Sequence, residues 1–151
     1  MASEEIDQIR RLFVSEIPEV AMGTVEIKAV ARERAYRTKV ALHSRSPEVD
    51  CIGACVGVRG QRIKRIVDQV EGERIDLVRW NEQIEKYIQN ALQPAEIDEV
   101  RVDHSQRKAK VVVRDDQVAL ANGRRGQNQR LASALCGYAI EVTTRAQLDE
   151  G

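Results

Sequence analysis

In the first half of the chain, segments whose apolar residues recur at the spacing of an amphipathic helix alternate with segments whose apolar residues recur at the spacing of a strand. Ile9 and Phe13 recur at helical spacing, whereas Val25 and Ile27 alternate with polar neighbours. Pro18 is expected to end the helical continuity of the opening segment. The predicted elements are, in order, a helix over residues 4–14, strands around 25–29 and 40–42 joined by the charged stretch 31–37, helices over 48–56 and 63–70, and a strand over 74–80.

The second half of the chain repeats that order. The predicted elements are a helix over residues 82–92 capped by Asn81 and ended by Pro94, strands around 100–102 and 111–113, helices over 117–122 and 127–135, and a strand over 139–143. Each half therefore has the order helix, strand, strand, helix, helix, strand. A repeated supersecondary unit is more informative than any single motif in it. The pattern predicts an α+β chain with two domains, over residues 1–80 and 81–151.

Composition narrows the function classes only slightly. The 151 residues carry 24 basic and 24 acidic side chains, so the net charge gives no reason to expect a nucleic-acid or membrane partner. Aromatic residues make up 3% of the chain, which weighs against a fold that stacks bases on rows of aromatic rings. No apolar run approaches the roughly 20 residues that cross a bilayer. Any argument for a charged partner must come from where the charges lie.

The three cysteines are interpreted as buried, reduced thiols. Cys51, Cys55 and Cys136 are an odd number in a small chain, which argues against a disulfide scaffold. No cysteine or histidine companion completes a tetrahedral zinc site around Cys51 and Cys55. We therefore expect no metal and no cofactor, and a reducing, cytoplasmic location.

The two glycine-bounded turns are the candidate chemistry. One runs Gly57-Val58-Arg59-Gly60, and the other, Gly123-Arg124-Arg125-Gly126, begins 66 residues after it. Glycines let the backbone approach a ligand closely, and each turn leads into a helix start, where unpaired N–H groups favour a phosphate. A lone Gly-X-X-Gly is a weak signal, because any turn can use glycine. Three of the four central residues are arginine, however, and the flanking elements match in both copies.

Positive charge gathers at both turns of this neutral chain. Residues 57–70 and residues 123–135 each carry a net charge of +3, whereas residues 1–20 carry −3. The plain alternative is that these are ordinary charged helix surfaces facing water. Two matching basic turns favour an anion site over that alternative.

The glycine turns and their surroundings resemble a known family. The strings at 52–60, 72–78 and 123–128, extended by 130–133, look like the tandem KH region of the bacterial NusA transcription factors, and the resemblance runs from about residue 12 to 143. It implies two tandem type II (prokaryotic) KH domains, each with a three-stranded sheet. KH domains hold about four nucleotides of single-stranded RNA, with the turn on the backbone and an apolar groove for the bases.

The resemblance supplies a set of candidate RNA-binding residues. They are Gly57, Val58, Arg59, Gly60, Arg62, Ile63 and Lys64 in the first copy, and Gly123, Arg124, Arg125, Gly126, Gln127 and Arg130 in the second. Ile52, Ile63 and Ile66 are candidate groove residues, although Ile66 is better explained as core. Asn122 and Gln129 depart from the pattern, because the first copy has Val56 and Ile63 there. Either a more polar second groove or a slightly rotated helix is expected.

The implied role is reading nascent RNA during transcription elongation, pausing, termination or antitermination, with the two folds presenting one continuous track. Contact with the RNA polymerase elongation complex would run through domains that this chain lacks, and no membrane or small-molecule substrate is expected. One alternative is an RNA-processing or ribosome-associated KH protein. Another is a protein-interaction module with architectural KH folds, which the polar Asn122 and Gln129 and the acidic N-terminal segment favour. An enzyme is not expected, because His43 and His104 have no nucleophile or carboxylate partner nearby in sequence.

Overall fold

Both halves of the chain fold around a three-stranded sheet in a computed structural model that describes residues 3–150. The chain divides after Trp80 into two compact units, called here the first unit and the second unit. The first unit consists of α1 (Ser3–Glu16), α2 (Pro18–Ala21), β1 (Val25–Glu33), β2 (Arg37–Ser44), α3 (Cys51–Val56), α4 (Gln61–Gln69) and β3 (Arg74–Arg79). The second consists of α5 (Ile84–Ala91), β4 (Glu99–Asp103), β5 (Lys108–Val112), α6 (Val118–Asn122), α7 (Gln127–Cys136), β6 (Ala139–Thr143) and α8 (Arg145–Glu150).

The two sheets have the same topology. Their strand orders are β1-β2-β3 and β4-β5-β6; the first pair in each is antiparallel and the second pair is parallel. Parallel neighbours need a crossover connection, and here the helix pairs α3–α4 and α6–α7 supply it. The predicted α+β fold with the order α-β-β-α-α-β is confirmed in both units, and each glycine turn lies in the middle of the crossover.

Several predicted boundaries in the first unit were wrong for local reasons. Pro18 starts a short helix rather than only ending one, because proline is tolerated at the first helical position. The stretch 31–37, predicted as a connection, is mostly strand, and only residues 34–36 form the turn between β1 and β2. Helix α3 begins at Cys51, because the Asp50 carboxylate accepts the N–H groups of the first turn.

Two helix starts in the second unit also differ from the prediction. Asn81 does not cap α5: its side-chain oxygen accepts the N–H of Gln83, which is the actual capping position. Helix α8 was missed altogether. Thr144 and Gln147 bond each other's backbone N–H groups, an arrangement called a capping box. The spacing of threonine and glutamine was a readable signal for that helix.

The cysteines lie inside the two units, as predicted. Cys51, Cys55 and Cys136 are all buried thiols, and Cys51 and Cys55 belong to the apolar core of the first unit together with Phe13, Leu42 and other side chains. Burial raises the pKa of the Cys55 thiol to about 12. That thiol therefore stays protonated and packs as a small apolar side chain.

A buried ion pair joins four elements of the first unit. The Arg32 guanidinium on β1 bonds the Glu73 carboxylate through Nε and Nη2 at 3.0 Å each, and both side chains are almost wholly buried. The same carboxylate accepts the Ala35 N–H at 2.9 Å and the Thr38 hydroxyl. Arg32 Nη1 donates to the Glu5 carbonyl and to the Gln8 side chain on α1, at 2.7 Å each. Helix α1, the β1–β2 hairpin and the residue that precedes β3 are thus tied together by one ion pair.

The ionisation of Glu73 has consequences for stability. Burial opposes the charged form, but the hydrogen bonds from Arg32, Thr38 and the Ala35 N–H outweigh it and hold the Glu73 pKa below its ordinary value of 4.5. A carboxyl whose pKa is lower in the folded state stabilises the fold above its unfolded pKa. That stabilisation disappears as the pH falls through the folded value.

We expect Glu73→Gln to lower the unfolding free energy of the first unit by about 3 kcal/mol, because the Arg32 charge would stay buried without a counter-charge. Trp80, the single tryptophan, directly follows β3 and belongs to the first unit, so its fluorescence during urea denaturation reports on this unit. Glu71→Gln, at an exposed position two residues earlier, is the matched control. The difference between wild type and Glu73→Gln should shrink below about pH 4.5. Equal losses for the two variants would contradict this role of Glu73.

Candidate nucleic-acid interface

The two glycine turns follow the same backbone path. The first glycine has φ 75° and ψ 178° at Gly57, and φ 74° and ψ 174° at Gly123. Arg59 and Arg125, each the third residue of its turn, are left-handed at φ 55° and 57°. The last glycine is left-handed as well, at φ 71° in Gly60. Two left-handed residues in succession expose the turn and direct the chain into the following helix.

The first glycine of each turn is required by packing. A Cβ on Gly57 would lie 2.6 Å from Arg62 Cγ. A Cβ on Gly123 would lie 2.8 Å from the backbone nitrogen of Asn128. The second glycine differs, because a Cβ on Gly60 would meet no atom within 4 Å. Glycine is therefore required at position 60 only by the left-handed backbone angle. The open side of Gly60 leaves room for a ligand against the turn.

One side chain braces each turn from the same position. Arg62 is the second residue of α4, and its Nη1 donates to the carbonyl of Ala54 at 2.8 Å. Asn128 is the second residue of α7, and its Nδ2 donates to the Leu120 carbonyl at 3.3 Å and to the Ala121 carbonyl at 3.0 Å. Ala54 and Leu120 occupy equivalent places in their units. Equivalent carbonyls are thus bonded across the two turns by different residue types, arginine in the first unit and asparagine in the second.

The two braces differ in charge and in burial. Asn128 is wholly buried and also donates to the carbonyl of Leu92 at 3.0 Å. The Arg62 side chain is 30% exposed and bonds the Glu19 carboxylate at 2.8 Å. Arg62, predicted to contact RNA, is thus already bonded inside the first unit. Asn128 and Glu19 were not among the predicted site residues, and the long-range contact of Glu19 leaves no local signal in the sequence.

The remaining predicted residues of the first unit surround its turn. Val58 is 78% exposed, and Arg59 and Lys64 are exposed cations. Ile63 is half-buried against the core, whereas Ile66 is completely buried, which confirms its interpretation as core. A shallow cleft beside the turn is lined by Glu19, Gly53, Ala54, Gly57, Val58, Gln61, Arg62 and Arg65.

The second unit presents more arginine at its turn. Arg124 and Arg125 are both exposed. Arg130 on α7 is exposed as well, and its Nη1 donates to the carbonyl of Arg125 at 2.9 Å. Gln127 is the first residue of α7. Neither Gly60 nor Gly126 supplies a side-chain cap, so the N–H groups at the start of α4 and α7 remain oriented towards the turn.

Neither the two histidines nor the possible metal ligands among residues 3–150 come together in a site. His43 packs edge-on against Trp80 at 5.2 Å, and His104 Nδ1 lies 3.2 Å from the hydroxyl of Tyr138. Among residues 3–150, no group of three or more His, Cys, Asp or Glu side chains is arranged to hold a metal. Within the same residues, no helix combines the length and apolar character needed to span a membrane.

The fold and the paired turns define a class of protein: two KH domains in tandem. Residues 3–80 match the family model of the NusA-like first KH domain, and residues 84–150 match that of the NusA-like second KH domain. The chain belongs to the NusA-like KH family.

The chain is similar to proteins called "Transcription termination/antitermination protein NusA". It is 45% identical to the one from Halalkalibacterium halodurans over 142 residues, and 45% identical to the one from Thermus thermophilus over 144 residues. Each match covers 94% of this chain and 37% of the relative, so the chain spans just over a third of their length. A solved structure described as "Crystal structure of APE1850" matches with a TM-score of 0.63 at 22% identity, over 96% of this chain and 100% of the other. That likeness supports the fold.

We expect Gly57→Ala to destabilise the first unit more than Gly60→Ala. Gly60→Ala meets only the left-handed backbone penalty of about 1–2 kcal/mol. Gly57→Ala adopts a conformation available essentially to glycine alone and collides with Arg62, so its cost should exceed about 3 kcal/mol. Urea denaturation followed by Trp80 fluorescence measures both. Similar losses in the two variants would show that packing against Arg62 does not matter.

Proposed function

We propose that the chain is a single-stranded RNA-binding module of a transcription termination/antitermination factor, in which each Gly-X-X-Gly turn clamps the RNA backbone. The observation that carries the proposal is the duplicated turn: both units have the same backbone angles and a following helix without a side-chain cap, and in the first unit the side of Gly60 is open as well. The match to both NusA-like KH families supports it. The role is one of binding rather than catalysis.

The turn suits a phosphate for three physical reasons. The N–H groups at the start of α4 and α7 carry the positive end of the helix dipole. The missing Cβ at Gly60 allows the sugar–phosphate chain to approach the backbone closely. Exposed Arg59, Arg124 and Arg125 add charge that can pair with neighbouring phosphates. Few aromatic rings are needed for this mode, which fits the composition of the chain.

Two turns on one chain would act together on one RNA strand. Binding at one turn raises the effective RNA concentration at the other, so the affinity of the pair exceeds that of either turn alone. The names of the relatives, which are transcription termination/antitermination proteins, support a role for such binding in termination and antitermination. We infer that the RNA is a nascent transcript in the cytoplasm, and that contact with RNA polymerase runs through domains outside this chain.

Replacing Val58 and Arg59 together by Asp should weaken RNA binding by at least about tenfold at low salt, because two carboxylates would face the phosphate. Fluorescence anisotropy with a labelled single-stranded RNA measures the effect. Arg11→Asp with Val14→Asp is the matched control: it makes the same charge change at exposed positions of α1. Unchanged affinity in the Val58/Arg59 variant, or an equal loss in the control, would remove the first turn from the mechanism.

The salt dependence of binding should report on the number of phosphates held. For single strands, the slope of log affinity against log salt is about −0.7 per phosphate contact. The Val58/Arg59 variant should show a shallower slope than wild type, by roughly one or two such contacts, whereas the α1 control should keep the wild-type slope. A slope near zero for wild type would mean that phosphates are not what the chain recognises.

A protein-interaction module is the second candidate, and one contact favours it. Glu19 places a carboxylate in the cleft of the first turn and already occupies Arg62. If the wild-type chain bound no single-stranded RNA at low salt, the turns would be architectural and this second candidate would replace the first.

A further inference from the structure

The outer edge of the last strand differs between the two units. In a parallel strand pair, alternate residues of the edge strand direct their N–H and C=O away from the neighbouring strand. Ala139 bonds inward, since its N–H donates to the Arg107 carbonyl. The next residue, Ile140, therefore points its backbone groups outward, towards the side where α7 lies.

Helix α7 closes that edge in the second unit. The Ser133 hydroxyl oxygen accepts the N–H of Ile140 at 3.2 Å. The Gln129 side-chain amide donates to the carbonyl of Ile140. Both outward-facing groups of Ile140 are thus bonded within the unit. Gln129 lies only three residues after Gly126, so the closed edge begins immediately beside the glycine turn.

The same edge is open in the first unit. Ile75 is the second residue of β3, as Ile140 is of β6, and the Arg74 N–H bonds inward to the Tyr36 carbonyl. Ile63 and Val67 stand where the second unit has Gln129 and Ser133, and neither side chain forms hydrogen bonds. Among residues 3–150, no group bonds the outward N–H or C=O of Ile75. A donor and an acceptor are therefore available there to a base.

We propose that Gln129 and Ser133, by bonding the outward backbone groups of Ile140, prevent base recognition at this edge of the second unit. The second unit then holds RNA through its phosphates without selecting bases. This inference rests on the proposed RNA binding. A base that reached Ile140 would have to replace hydrogen bonds already made, so correct and incorrect bases would gain equally little. At Ile75 an incorrect base leaves buried backbone groups unpaired, and that penalty discriminates. Gln129 is thus a specificity-determining residue of the second unit.

The test isolates each turn within the full chain. One variant disables the first turn by Val58→Asp with Arg59→Asp, and another disables the second by Arg124→Asp with Arg125→Asp. Affinities for short homopolymers of adenylate, cytidylate and uridylate are then measured at low salt. With the first turn disabled, the three affinities should agree within about twofold; with the second disabled, they should spread by at least about fivefold, the size of one base-specific contact.

Adding Gln129→Ile to the chain with the disabled first turn provides the direct test. This change gives the second unit the residue type of Ile63, and the spread among homopolymers should widen to at least about fivefold. Gln89→Ile, at an exposed position on α5, is the control and should leave the spread unchanged. Ser133→Ala opens the N–H of Ile140 separately, and its effect should have the same direction. The comparison of the two turn-disabled chains decides the question even where Gln129→Ile does not fold.

The outcomes separate this inference from the proposed function. If wild type bound none of the homopolymers, the proposed function would fail first. If wild type bound RNA but both turn-disabled chains selected bases equally, or if Gln129→Ile left the spread unchanged, only the inference would be overturned. A chain with the disabled first turn that bound no RNA would also overturn it, because a phosphate clamp should act alone at low salt.

Discussion

A side chain from the start of the longer helix reaches back over each glycine turn and bonds a carbonyl of the short helix before it. This contact links Arg62 to Ala54 and Asn128 to Leu120. It draws the helix against the first glycine, which leaves no room for a Cβ. The bent path then leads through the second glycine into the helix start, whose N–H groups have no side-chain cap. The brace thus sets the backbone shape that suits the turn to an anion, and the exposed arginines add charge to it.

The two units have side chains of different chemistry at equivalent positions. After its glycine, the first unit buries Glu73 with Arg32. At the matching place, after Gly137, the second unit buries Tyr138, whose ring is covered by the Arg107 guanidinium at 4.8 Å. The brace varies in the same way, from a charged Arg62 to a neutral Asn128. The first unit therefore depends on buried ionised groups, and its stability should be the more sensitive to acid.

Local pattern predicted the fold because strand alternation, helical spacing and glycine turns act over a few residues. The strand over 139–143 was predicted with its observed bounds, and the repeat itself gave the topology. What the pattern could not supply were contacts between distant residues: Glu19 lies 43 positions from Arg62, and nothing near Glu73 marks it as buried. Gln129 is intermediate, since its polarity at an apolar position was visible, but its partner on β6 was not.

Because the domain is duplicated, affinity and base specificity, which conflict in a single site, can be provided by different units. Affinity gained from phosphate contacts is the same for every sequence, so it raises all binding equally and adds no discrimination. Specificity is a difference between affinities and needs groups that an incorrect ligand leaves unpaired. In the proposed mode, the closed edge at Ile140 beside three exposed arginines would provide affinity, and the open edge at Ile75 would provide specificity. Because the two turns share one chain, an unselective second turn would strengthen binding without reducing the selectivity of the first.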